Sequence, residues 1–232
     1  MTVSDTESTM PETVPPSIIA LFLRPPVPGQ VKTRLARSLG TEAACSLYQA
    51  MVADSIHACR SSGIPLALFY SGDTPASLPD EWLQAAHSVY PQSGDSLGDR
   101  MAAAFELLFS HGARQIILIG SDIPDMNASL LQAAATALEN NDIALAPAAD
   151  GGYGLIAASR ARFTHRIFCD IPWSTSRVLE LTLAACRSAG RSCILLDELR
   201  DIDTRSDLEA YLAHPCPTAI HTNAWLAANP LP

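Results

Sequence analysis

Four separate stretches of this chain carry residue types suited to phosphate and divalent-cation chemistry. Between positions 24 and 37 stand Arg24, Lys32, Arg34 and Arg37, with the Thr33 hydroxyl and the backbone N–H groups near Gly29 among them. Lysine brings a compact charge, arginine a planar fork and the backbone further donors, so such a loop can cradle a diphosphate. It is not a Walker loop, because GxxxxGK[ST] is absent. A solvated basic face would show the same residues. Lys32 is nevertheless singular: the other fourteen basic residues are arginines.

The second stretch is Gln115 to Asp125, in which the apolar run Ile116–Ile119 is cut off by Gly120-Ser121-Asp122. This reads as a buried strand that delivers a carboxylate to its carboxyl end, where open α/β sheets bind ligands. Pro124 disfavours helix at Ile123, which fixes Asp122 on a constrained turn suited to holding a hard cation. The competing reading makes Asp122 a cap for the helix that begins near Asn127.

The third stretch, Asp150-Gly-Gly-Tyr-Gly154, has three glycines in four positions after an acid. Gly151 and Gly152 then signal positive φ or close approach of backbone to a ligand, although a plain hairpin turn also uses Asp-Gly. The fourth is Asp201-Ile-Asp203, ahead of a Thr204/Asp207 capping box that leaves both acids without a structural explanation. Two acids from distant segments meeting one cation is what phosphate-bound Mg²⁺ or Mn²⁺ requires, which points to Asp122 with Asp203. Gly98 and Arg100 open a further helix whose N–H groups can hold an anion, while Asp99 and Arg100 also suit a helix-end acid and a surface cation.

The elements that must position these residues alternate. Strands are expected at 17–23, 65–70, 88–90, 115–119, 143–146, 155–158 and 193–196, and helices at 42–61, 82–86, 97–111, 129–140, 173–189 and from about 201. Residues 24–35 read as a loop broken by three prolines and a glycine. The pattern predicts a three-layer α/β/α fold with a mostly parallel mixed sheet. The turn into 153–158 is too short for a crossover helix and implies one antiparallel strand. Residues 1–16 read as a disordered leader, 17–214 as a single catalytic domain and 215–232 as a weakly specified tail.

Composition removes several functions. A net charge of −9 argues against nucleic-acid or anionic-membrane binding. No apolar run is long enough for a membrane span, and residues 1–16 lack the basic start and apolar core expected of a signal peptide. Six scattered cysteines without CxxC pairs read as reduced, mostly buried thiols of a cytoplasmic protein, and the histidines lack zinc spacing. There is no GxSxG nucleophile motif. The sequence fixes no oligomeric state; a homodimer is compatible with it.

Taken together, Pro28-Gly-Gln-Val-Lys-Thr-Arg-Leu35, Leu97-Gly-Asp-Arg-Met101, Gly120-Ser-Asp-Ile-Pro124, Asp150-Gly-Gly-Tyr153, Trp173-Ser-Thr175 and Asp201-Ile-Asp-Thr204 resemble the DUF2064 group of bacterial proteins. Members of that group are often labelled glycosyltransferases, some linked to arsenosugar biosynthesis. The group is similar to the GT-A nucleotide-diphospho-sugar transferases and especially to lactate-phosphate guanylyltransferases. The resemblance implies a nucleotide held by Leu23, Arg24, Gly29, Lys32, Thr33, Arg34, Gly98, Arg100, Ser121, Gly151 and Gly152. It also implies Mg²⁺ or Mn²⁺ on Asp122 and Asp203, and Asp122, Asp150, Lys32 and Arg34 as the catalytic set. The expected partners are a nucleotide or nucleotide-sugar and a small-molecule acceptor. Glycosyl transfer leads; nucleotidyl transfer with pyrophosphate release and nucleotide binding without turnover stay open. Gly154, where many relatives carry an aromatic residue, and Ser96, which interrupts their GDLG run, depart from the pattern.

Overall fold

A computed structural model describes residues 15–72 and 75–230, so the expected leader up to residue 14 lies outside the described residues. At its centre is a seven-stranded sheet built from β1 (Ser17–Leu23), β2 (Leu66–Tyr70), β3 (Ser88–Pro91), β4 (Gln115–Gly120), β5 (Ile143–Pro147), β6 (Tyr153–Ser159) and β7 (Cys193–Leu195), in the order β3-β2-β1-β4-β6-β5-β7. All pairings are parallel except those of β6, which runs antiparallel between β4 and β5. That is the antiparallel strand implied by the short turn at Asp150. The interior strands are near-continuous apolar runs because both faces of the sheet are covered.

Alternation along β1 divides the core. Ile19, Leu21 and Leu23 join one apolar cluster with Leu47 and Met51 of helix α2 (Thr41–Ser62) and Leu131 of α5 (Ala128–Ala137). Ile18, Ala20 and Phe22 join the other with Phe105 and Leu108 of α4 (Leu97–Ser110) and Cys186 of α6 (Val178–Ser188). Burying one such Leu, Ile or Phe side chain stabilises by about 1.5–3 kcal/mol, so both clusters hold the sheet edge rigid.

Helix α1 (Thr33–Leu39) forms inside the stretch read as loop, because the last breaker is Gly29 and none recurs before Gly40. The helix expected from Trp173 starts only at Val178; Ser174, at φ 64°, cannot continue a right-handed turn. After the short helix α3 (Asp80–Ala85) and α7 (Arg205–Ala213), the region read as a tail contains α8 (Ile220–Ala228). Asp54, 3% exposed on α2, accepts hydrogen bonds from the His221 and Thr222 N–H groups at 2.8 Å each and ties α8 to the core. A single acid remote in sequence supplies that anchor. Among the described residues no helix is long and apolar enough to cross a membrane.

Candidate active site

The carboxyl ends of β1 and β4 open into a cavity of about 450 Å³. Its wall includes Leu23, Arg24, Lys32, Thr33, Arg34, Arg100, Ser121, Asp122 and Asp203, nine of the residues expected to bind nucleotide or metal. Parallel pairing of β1 with β4, Phe22 opposite Gly120, brings the two ends level. Lys32 is the left-handed residue (φ 47°, ψ 43°) immediately before α1, a conformation uncommon for a non-glycine side chain. It turns the lysine stem inward, leaving its side chain 4% exposed.

Inside, the Lys32 Nζ donates to Asp122 Oδ2 at 2.8 Å and lies 3.5 Å from Asp203 Oδ1. Arg34 Nη1 reaches Asp203 Oδ2 at 3.2 Å from an exposed position. Burial pushes the Asp122 carboxyl up, but the Lys32 charge and hydrogen bond outweigh it and hold the group below the usual carboxylate range. Asp201 is held up at about 6 by burial and then by the charges of Asp122 and Asp150. Asp122 does not cap α5: Asn127 does, its side chain accepting from the Leu130 N–H at 3.0 Å. The capping reading of Asp122 is therefore excluded.

The segment bearing Asp201 and Asp203 is locked in place by residues that sequence reasoning passed over. Arg200 donates through Nε and Nη2 to the two oxygens of Asp125 at 2.7 and 2.8 Å, and through its backbone N–H at 3.2 Å. The Ile202 N–H donates to the Asp122 carbonyl at 3.2 Å. A bidentate charged pair fixes orientation as well as distance, so Asp125 and Arg200 set how Asp203 faces Asp122. Tyr48 braces the ends of β1 and β4: its hydroxyl contacts the Arg24 N–H and carbonyl and Ser121 Oγ at 2.9–3.2 Å. Gln92, also in the wall, spends its amide NH₂ on the Leu23 and Phe69 carbonyls. Only the acid three residues after Asp122 could have hinted at the Asp125 clamp; nothing in the sequence pairs it with Arg200.

Other expected residues do not line this cavity. Gly29, at φ 78°, shapes the exposed turn ahead of Val31, and Arg37 points outward from α1. Gly98 lies beneath Trp173, whose ring a Cβ would meet at 2.8 Å, so it is a packing position. In Asp150-Gly-Gly, the Gly152 N–H donates to Asp150 Oδ1 at 2.8 Å, and Gly151 (φ 87°) sits where a Cβ would lie 2.2 Å from the Ser176 carbonyl oxygen. Gly151 thus admits protein backbone, and a Cβ on Gly152 would meet the Asp150 side chain. Asp99 completes a capping box with Ser96, as one of its two readings required, while the Arg100 Nε donates to the Gly94 carbonyl. Gly154 packs beneath Ile123 and Leu199, leaving no open space for the aromatic residue of its relatives.

The family model described as "Uncharacterized protein conserved in bacteria (DUF2064)" matches residues 54–175. This chain belongs to the DUF2064 family. A crystal structure from Desulfovibrio desulfuricans G20, provisionally named a nucleotide-diphospho-sugar transferase, is similar to this DUF2064 protein at 32% identity and TM-score 0.84 over 92% of this chain and 94% of that one. Two more distant structures share the fold. A Methanothermobacter nucleotidyl transferase has 15% identity and TM-score 0.55 over 91% and 99% of the two chains. A CMP-2-keto-3-deoxy-manno-octonic acid synthetase complexed with CTP has 13% identity and TM-score 0.51 over 85% and 97%. A search of curated proteins finds no match. The DUF2064 chain thus has the nucleotide-diphospho-sugar transferase fold, and its likeness to the Desulfovibrio protein groups it with the transferases.

Proposed function

We propose that this protein transfers a glycosyl group from a nucleotide-diphospho-sugar to a small-molecule acceptor, with Mg²⁺ or Mn²⁺ held by Asp122 and Asp203. The observation that carries this reading is the convergence of these two carboxylates, from the turn after β4 and from the segment before α7, on one buried ammonium of the cavity wall. A site that already gathers a cation between two hard oxygen donors fits such an ion. Among the described residues no three His, Cys, Asp or Glu side chains are grouped to hold a metal unaided, so phosphate oxygens and water would complete the shell. When bound, the ion supplies charge stabilisation for the departing diphosphate.

The chain's own residues have separate tasks in this reading. Lys32 and Arg34 neutralise phosphate oxygens, and Arg24 and Arg100 extend the cationic wall. Tyr48 and Gln92, with their polar atoms committed to backbone, keep the nucleotide wall rigid and its shape preformed. Asp150, exposed on the neighbouring turn, takes the proton of the acceptor hydroxyl. Six free thiols, three of them buried, fit a reducing compartment such as the cytoplasm.

One observation favours a second reading. Four cationic side chains, Arg24, Lys32, Arg34 and Arg100, line the one cavity, which suits a triphosphate and hence nucleotidyl transfer with release of pyrophosphate. Thermal unfolding against nucleoside di- and triphosphates and nucleotide-sugars, with and without Mn²⁺, tests the shared premise. A ligand at a hundred times its dissociation constant stabilises by about 2.7 kcal/mol, or about 5–10 °C at this length. Product analysis then separates the readings: nucleoside diphosphate supports glycosyl transfer, and pyrophosphate supports nucleotidyl transfer. No shift with any nucleotide, from folded protein, would remove both.

A further inference from the structure

The same geometry bears on the order in which ligands enter, an inference that rests on the reading of Asp122 and Asp203 as ligands of a divalent ion. The Lys32 ammonium stands 2.8 Å from one of these carboxylates and 3.5 Å from the other, so the protein's own cation lies where a bridging ion would contact both. Its side chain is 4% exposed, which leaves water little part in its solvation. Arg34 adds a second positive charge on Asp203 from outside. An ammonium and a divalent ion within a few ångströms repel strongly in a half-buried site, so the two do not share the position.

An ammonium leaving the carboxylates needs another anion, because a buried charge without a partner is strongly destabilised. Among the described residues, the cavity wall beyond Lys32 carries Arg24, Arg34 and Arg100 and no acid other than Asp122 and Asp203. A bound phosphate brings that anion. Lysine suits the exchange: a point charge with rotatable donors on a flexible stem can pass from carboxylate to phosphate, whereas a guanidinium fork is less free to do so. We propose that Lys32 is an internal occupant of the cation position, displaced only when a phosphate draws its ammonium away. Free divalent metal is thereby a poor ligand of the empty protein, and metal and phosphate bind in concert, each raising the affinity for the other.

The chain offers a direct probe, since Lys32 is its sole lysine. In full-length protein labelled with [¹⁵N]lysine, one Nζ signal reports the ammonium. Millimolar Mg²⁺ alone is expected to leave that signal unmoved, and Mg²⁺ with inorganic pyrophosphate to shift it. In parallel, Mn²⁺ affinity without phosphate, read from the loss of the free-ion spin-resonance signal, is expected to rise about tenfold or more in Lys32→Met and Lys32→Gln. Arg34→Gln removes the same charge from an exposed position and is expected to change the affinity less than about threefold. Circular dichroism confirms folding of each variant. Equal Mn²⁺ affinity in wild type and Lys32→Met, or Mg²⁺ saturating the wild type with the Nζ signal in place, overturns the proposal while the metal reading stands. Absence of Mn²⁺ binding to every folded form, with pyrophosphate present, overturns both.

Discussion

Two glycine-bearing loops, one basic and one acidic, lie at the carboxyl edge of one sheet, and they use their residues in different ways. In the β1–α1 loop the sole lysine is turned inward by a left-handed backbone and meets two carboxylates at the cavity. In the β5–β6 turn Gly151 faces the Ser176 backbone, and the Leu179 N–H donates to the Gly151 carbonyl at 2.9 Å. The first loop directs charged groups toward a ligand; the second docks the 173–177 segment onto the sheet. A run of glycines marks close backbone approach in either case, and what approaches is decided by the neighbouring chain.

Substitutions can break this contrast. The largest effect is expected from Asp122→Asn, which keeps the shape and removes the charge: turnover should fall about 10²–10³-fold, the usual scale for losing one electrostatic stabiliser, measured as product formation at saturating nucleotide. If activity survived, the cavity would not be the reaction centre. Gly151→Ala should instead unfold the protein more readily by about 3 kcal/mol, since a methyl must displace the Ser176 backbone and adopt φ 87°. Its urea midpoint should drop while nucleotide affinity of the folded fraction stays near wild type. A selective loss of affinity would assign that turn to the ligand after all.

A smaller effect tests positioning. Arg200→Met removes the bidentate hold on Asp125 and should lower stability by about 1–2 kcal/mol, since Arg200 is only partly buried. Because the 199–203 segment then loosens, Mn²⁺-dependent nucleotide binding, followed by calorimetry, should weaken by about tenfold. Unchanged binding would make the clamp a purely structural feature.

The smallest effect concerns Asp201. Its folded-state pKa, about 6, exceeds the ordinary 3.8, so its contribution to stability is fully present below about pH 4 and is lost as pH rises through 6. Asp201→Asn should therefore be more stable than wild type at pH 7 without metal. We expect about 1 kcal/mol, or about 2–4 °C, reduced from the full shift because the residue is partly exposed to solvent. Melting curves between pH 4 and 7.5 should show the gap opening through pH 5–6. A gap independent of pH would trace the effect to packing instead of charge.

Much of this was legible before any coordinates. The apolar runs at 17–23 and 115–119, the breakers after them and the short turn at 150–154 led to a mixed sheet with one antiparallel strand, which is how the chain is built. The Thr204/Asp207 capping box formed as its spacing required. Local rules failed where a distant partner decides. Helix α8 is held by Asp54, 167 positions upstream, and so looked like unspecified tail. The late start of α6 follows from Ser174 in a left-handed conformation that its side chain does not advertise.

By itself, then, the sequence determined the strand-helix alternation, the layers that it forces and the identity of the charged groups at the carboxyl edge. These depend on hydrophobic period and backbone propensity, which are properties of neighbours along the chain. Only the tertiary structure decided that Lys32, Asp122 and Asp203 meet, that Asp125 and Arg200 hold them in register, and that Gly98 and Gly151 serve packing. Electrostatics and steric exclusion act over a few ångströms of space, and residues 90 and 169 positions apart become partners only when the sheet has brought their strands level.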